Sequence, residues 1–175
     1  MLESILNNIP AHICALIGFV FLIVSTQVKN KKEILLFQSL FSLFFFLQYL
    51  LLEVYSASIL CLFSLIRNVL FYFKNNKISN NIIIFLTLII GIITGLYDMK
   101  NYIFIIAFIP TIINVAYSYV LSKNNIVLIK KIFFLCAIIW VIYDYFVEAY
   151  VGLVCNSLET LSYIYYFIKK SKNQY

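Results

Sequence analysis

Asn156, Glu159, Thr160 and Tyr163 stand at i, i+3, i+4 and i+7, the spacing that puts side chains on one face of a helix. An amide, a carboxyl, a hydroxyl and a phenol on one stripe can hydrogen-bond a polar solute, and the carboxyl can carry a proton. Their setting makes them unusual. The surrounding sequence is apolar, and an ionisable side chain costs about 2.5–3.5 kcal/mol at the centre of a membrane helix. Arg67 is a second such residue, and Asp144, near the end of another apolar stretch, is a third.

Other polar residues inside apolar stretches join them as candidates for a solute path. Ser64 and Asn68 flank Arg67, Asn114 lies one turn beyond Pro110, and Gln48, Trp140 and Tyr143 sit in further stretches. Amide, hydroxyl and aromatic groups suit a small ring-bearing polar solute such as a sugar or nucleoside. The same groups can instead hydrogen-bond between helices, typically for under about 2 kcal/mol each. Catalysis is not expected: no Ser/His/Asp set, phosphate loop or metal cluster is visible, and Asp144 and Glu159 are read as about half a membrane apart in depth. No metal and no cofactor is expected. The four cysteines, Cys14, Cys61, Cys136 and Cys155, lie inside apolar stretches without zinc or redox spacing. The single histidine, His12, has no second ligand nearby.

The elements that must hold these residues are membrane helices. The 175 residues are 64% hydrophobic and 11% charged, against about 25% charged in a soluble domain. About 20 apolar residues cross a bilayer, and seven stretches of that order fill the chain: 9–28, 34–52, 54–73, 81–97, 102–121, 132–146 and 149–168. The second and third must turn sharply near Glu53. The segment before the first carries Glu3 and no lysine or arginine, unlike a cleaved signal peptide, so the first span is expected to be retained.

The lysines orient this array. Lys29, Lys31, Lys32, Lys74, Lys77, Lys123, Lys130, Lys131, Lys169, Lys170 and Lys172 fall in gaps on one side, and only Lys100 falls on the other with Glu3, Glu53, Asp98 and Glu148. The positive-inside rule places the N-terminus outside and the C-terminus, with its 169–175 tail, in the cytoplasm. The net charge of +6 therefore serves membrane lipid, not nucleic acid.

The gaps also repeat. An offset of 95 residues lays spans one to three on spans five to seven, pairing Glu53 with Glu148, Tyr55 with Tyr150, Lys74 with Lys169 and Lys77 with Lys172. This gives two parallel three-helix bundles, 9–73 and 102–168, joined by a linker helix at 81–97. The linker reads as short, and its Gly91-x-x-x-Gly95 as a helix-packing motif. The offset equates Ser64 with Glu159, which puts Arg67 one turn away, about 5.4 Å. An intramembrane ion pair between Arg67 and Glu159 across a central path is therefore expected. Snorkelling of Arg67 to headgroups and a purely structural pair are the alternatives.

Ile17-Gly18-Phe19, the lysine-rich turn, Gln38 and Gln48-Tyr49-Leu50-Leu51-Leu52, with Arg67-Asn68-Val69-Leu70-Phe71-Tyr72-Phe73, resemble the YgjV-type bacterial inner-membrane family. In the second half the likeness rests on hydropathy, Pro110, Trp140 and Tyr143. The 3+1+3 plan is similar to the SWEET sugar carriers, whose three-helix bundles flank a solute path lined by an asparagine from each of two helices; Asn68 and Asn156 are the nearest residues here. The four proline hinges of those carriers are not matched, and the Pro-Gln signature of the related PQ-loop carriers is absent.

The sequence thus predicts an all-α integral membrane protein of seven transmembrane helices. It is read as a non-enzymatic small-solute carrier or, alternatively, a membrane scaffold or assembly protein. Substrate and oligomeric state stay open, a homo-oligomer being compatible with both.

Overall fold

The computed structural model describes residues 8–52, 55–73, 77–100, 102–123, 125–146 and 150–172. Among these the regular elements are seven helices: α1 (Ile9–Gln27), α2 (Lys31–Leu51), α3 (Tyr55–Phe73), α4 (Lys77–Asp98), α5 (Phe104–Leu121), α6 (Ile126–Phe146) and α7 (Tyr150–Lys172). Glu3, Glu53, Lys74 and Glu148 lie outside the described residues, and with them the turn at Glu53 and its pairing with Glu148. Helix is the natural outcome for such runs, since hydrocarbon offers the backbone no hydrogen-bond partners and a helix satisfies its own. Five helices are long and apolar enough to cross a membrane. The described apolar part of α3, Ala57–Phe73, is slightly short of that length, and α7 is more polar because it carries Asn156, Glu159 and its terminal lysines. The linker is not short: α4 has 22 residues, because the helix continues through Ser79, Asn80 and Asn81 before the apolar core of the span.

Outward faces are apolar and exposed, with Phe85, Ile93, Ile105 and Leu161 among many such side chains. That surface suits lipid and not water. Inside, Ile34, Leu35, Phe71, Ile83, Val120, Leu121, Ile129, Phe133 and Tyr163 form one buried cluster. Each belongs to the half of its helix nearer the lysine-bearing ends, so the apolar core closes that half of the interior.

The helix bounds recur at the 95-residue offset. The shift carries Lys31–Leu51 onto Ile126–Phe146 with no residue left over, and α1 and α3 onto α5 and α7 within a few residues at one end. Asn30 and Asn125 are equivalent under it. Each opens the middle helix of its triplet as an N-cap, its side chain accepting from Lys32 N and Leu128 N at 3.1 and 3.0 Å. In both triplets the middle helix packs on its two flanking helices, while α1 meets α7 and α3 meets α5. Those two seams exchange when one triplet is shifted onto the other.

Helix α4 lies against α3 and α5. A Cβ built at Gly91 would come within 2.5 Å of Thr111, and one at Gly95 within 2.9 Å of the Phe108 ring. The absent side chains let α4 and α5 approach until Thr111 Oγ1 donates to Gly91 O at 2.7 Å. Small-residue spacing of this kind is the general means of close helix approach in lipid.

Candidate functional site

Arg67 is 2% exposed and points across the α3–α5 seam. Its Nη1 donates to Asn114 O at 3.2 Å, to Ser118 Oγ at 3.3 Å and to Asn114 Oδ1 at 3.4 Å, and its Nε donates to Asn68 Oδ1 at 3.2 Å. Ser64 Oγ donates to the same Asn114 Oδ1 at 2.9 Å. Thr87 of α4 shares a 2.9 Å hydrogen bond with Ser118. Three helices are thereby tied around one guanidinium. Every acceptor in this set is neutral, and Nη2 has no partner among the described residues. Asn68 Nδ2 is likewise buried without an acceptor.

Glu159 of α7 is also 2% exposed and makes no hydrogen bond or ion pair among the described residues. The expected pairing with Arg67 is not formed. The physical reason is topological: α3 packs on α2, α4 and α5, whereas α7 packs on α6 and α1, so the nearest acceptors for Arg67 are those of α5. Tyr117 of α5 lies near both groups, within electrostatic reach of Arg67 and of Glu159. Its ring centroid is 6.0 Å from Arg67 Cζ and 4.4 Å from the Phe133 ring.

Asn156 lies three residues before Glu159, about 4.5 Å along the helix, and its Nδ2 donates to Asp144 Oδ2 at 2.6 Å. Asp144 packs on Gly152, where a Cβ would come within 2.9 Å of that same oxygen. The two carboxylates are therefore close in depth, not half a membrane apart. The packing of α6 on α7 brings Asp144 alongside Asn156. Cys155 of α7 and Tyr49 of α2 lie near Asp144.

The structure thus gathers Ser64, Arg67, Asn68 and Asn114 at one seam and Asn156, Glu159 and Tyr163 on α7. It leaves the others apart. Thr160 donates to Asn156 O at 2.8 Å and lines a groove of about 310 Å³ with Ile138 and Leu161, both exposed apolar residues. Trp140 and Tyr143 meet edge to face at 5.2 Å. Gln48 is buried with its Oε1 unpartnered. Sequence reasoning missed Tyr117 and Ser118. Asn114, Tyr117 and Ser118 repeat the i, i+3, i+4 spacing that singled out α7, and that periodicity was the available signal.

The seam between α1 and α7 is polar too. Thr26 and Ser162 hydroxyls meet at 2.5 Å, and Gln27 Nε2 donates to Ser162 Oγ at 2.8 Å and Ser162 O at 3.0 Å. Ser162 is the 95-residue equivalent of Arg67, so equivalent positions bridge both seams, one by a neutral hydroxyl and the other by a cation.

A profile of the bacterial inner-membrane protein family Imp-YgjV matches residues 9–174, nearly the whole chain. The chain belongs to the Imp-YgjV family. Its seven helices and lipid-suited surface agree with a multi-pass protein of the bacterial inner membrane. Neither the curated proteins nor the solved structures provide a match. The family description carries no reaction or solute, so any role for Arg67 and Glu159 rests on their geometry.

Proposed function

We propose that this Imp-YgjV protein is a carrier or facilitator for a small polar solute of the sugar or nucleoside kind, passing between the two helix triplets by way of Arg67, Asn68, Asn156 and Glu159. One observation supports this most. A guanidinium and a carboxyl are buried in the membrane interior of one molecule, neither has an ionic partner among the described residues, and each keeps hydrogen-bonding capacity unused there. Unpaired buried ionisable groups are costly in lipid and mark solute or proton pathways. Donors on α3 and an acceptor on α7 would grip a hydroxylated solute from both triplets. In this reading the apolar cluster at the lysine-bearing ends is the closed gate of one access state. No reaction is proposed for the chain, and the lysine distribution supports a cytoplasmic C-terminus.

The test is uptake of labelled sugars and nucleosides into proteoliposomes holding the purified full chain. Saturable uptake that falls to the empty-vesicle level in Glu159→Gln supports the carrier. Uptake that is unchanged in that variant removes Glu159 from the path and from any proton coupling. The scaffold reading is favoured by a different observation, that Arg67 ties α3 to α5 while Thr87 and Ser118 tie α4 to α5, and it requires that no solute in the panel enters.

A further inference from the structure

At the lysine-bearing end a cavity of about 440 Å³ lies between the ends of α1 and α7 and the start of α6. Gln27, Lys29, Tyr166, Lys169 and Lys170 line it, with Ile126 and Val127 of the first turn of α6. This volume is within the usual range for small-ligand sites. Lys130 stands behind it, 1% exposed. Its Nζ donates to Thr26 O at 2.6 Å and sits 3.6 Å over the Tyr166 ring. Lys130 also interacts electrostatically with Lys170 and Lys29. None of these four lysines has a carboxylate partner among the described residues.

Two further features bear on what such a cavity accepts. Asn125 satisfies the amides of Leu128 and Ile129, leaving those of Ile126 and Val127, which have no intrahelical acceptor, at the cavity wall. A helix N-terminus adds partial positive charge there. Like charges held this close repel one another, and a buried ammonium bound only to a carbonyl and a ring lacks a counter-ion. A bound anion would relieve both costs, and three-oxygen anions suit several lysines and backbone amides at once.

We infer that the cavity between α1, α6 and α7 is a binding site for a phosphate-bearing anion, held by Lys29, Lys169 and Lys170 with Lys130 as the fixed charge at its back. The site is distinct from the Arg67–Glu159 centre and does not depend on the carrier reading. Its position at the end of the spans, at headgroup level, makes an anionic phospholipid one source of the phosphate and a soluble phosphate compound the other. Basic pockets between membrane helices take lipid headgroups of this sort.

The test is native mass spectrometry and thermal unfolding of the detergent-purified full chain with cardiolipin, phosphatidylcholine or inorganic phosphate added. Expected is retention of cardiolipin and a rise in melting temperature that phosphatidylcholine does not give. Replacing Lys29, Lys169 and Lys170 by Gln should weaken binding by roughly fivefold per lysine, with the unliganded melting temperature unchanged. A double variant Lys123→Gln and Lys131→Gln, on the same face outside the cavity, should bind as the wild type does. Stabilisation by inorganic phosphate that displaces cardiolipin would identify a soluble anion as the occupant. Equal weakening in both sets of variants, or no binding of either probe, would overturn the site. If the triple Gln variant unfolds, Lys→Arg substitutions at the same three positions keep the charge and must retain binding.

Discussion

Arg67 costs the protein more than its contacts require. The acceptors on α5 each keep another partner: Asn114 Oδ1 has Ser64, Asn114 O has Ser118, and Ser118 Oγ shares a hydrogen bond with Thr87 Oγ1. Only Asn68 Oδ1 would lose its sole donor on removal of the guanidinium. Replacing buried ionic groups with apolar residues of similar volume is often neutral or stabilising by about 1–4 kcal/mol. Arg67→Met is therefore expected to leave the melting temperature unchanged or raise it, as read by unfolding in detergent; a fall of several degrees would make Arg67 a structural cation. Asp144 is the opposite case, because its contact is made and its packing is tight. Gly152→Ala would drive a methyl group against Asp144 Oδ2 and break the bond to Asn156. A loss of about 1–3 kcal/mol is expected for such overpacking, and unchanged stability would show that the carboxylate can swing away freely. The sequence identified Arg67, Glu159 and Asp144 as ionisable residues in apolar spans, but not their partners. Pairing depends on which helices are neighbours, and a single chain read in order does not reveal that α3 rests on α5 while α7 rests on α1.

At the scale of helices, two asparagines and two glycines set the register. Asn30→Ala and Asn125→Ala each remove an N-cap acceptor and should each cost about 0.5–2 kcal/mol, with similar sizes because the two positions are equivalent. A cost at only one of them would show that the two triplets do not share this device. Gly91→Ala places a methyl group 2.5 Å from Thr111 and should separate α4 from α5, lowering stability by about 1–3 kcal/mol; thermal unfolding reads it directly. Helix positions were the most legible feature of the sequence. Hydropathy and bilayer thickness together allow few other solutions, and lysines mark the breaks. The start of α4 was less legible: polar residues between Lys77 and Asn81 read as loop, yet the helix continues through them, with Asn80 buried and its Nδ2 donating to Ser122 O at 3.5 Å. The N-caps went unread because Asn30 and Asn125 are embedded in lysine-rich turns, where charge is the more conspicuous signal.

The molecule as a whole is a ring of two triplets with a fourth helix packed outside one seam. One seam is bridged by Arg67 and the other by Ser162, and a closed apolar core lies toward the lysines. If the lysine-bearing face is cytoplasmic, a C-terminal green fluorescent protein will fluoresce in cells and a C-terminal alkaline phosphatase will be inactive; the reverse pattern would invert the orientation. In the proposed carrier, Arg67 and Glu159 are kept for a solute and not for stability. The most direct measurement is the melting temperature of the wild type, Arg67→Met and Glu159→Gln, each with and without a panel of sugars, nucleosides, vitamins and amino acids. A ligand that binds only the folded state raises the melting temperature with concentration. A carrier role predicts a dose-dependent rise in the wild type for at least one sugar or nucleoside, absent in both variants, which by themselves melt no lower than the wild type. No response to any solute, with both variants markedly less stable, would contradict it and make the two buried charges part of a scaffold.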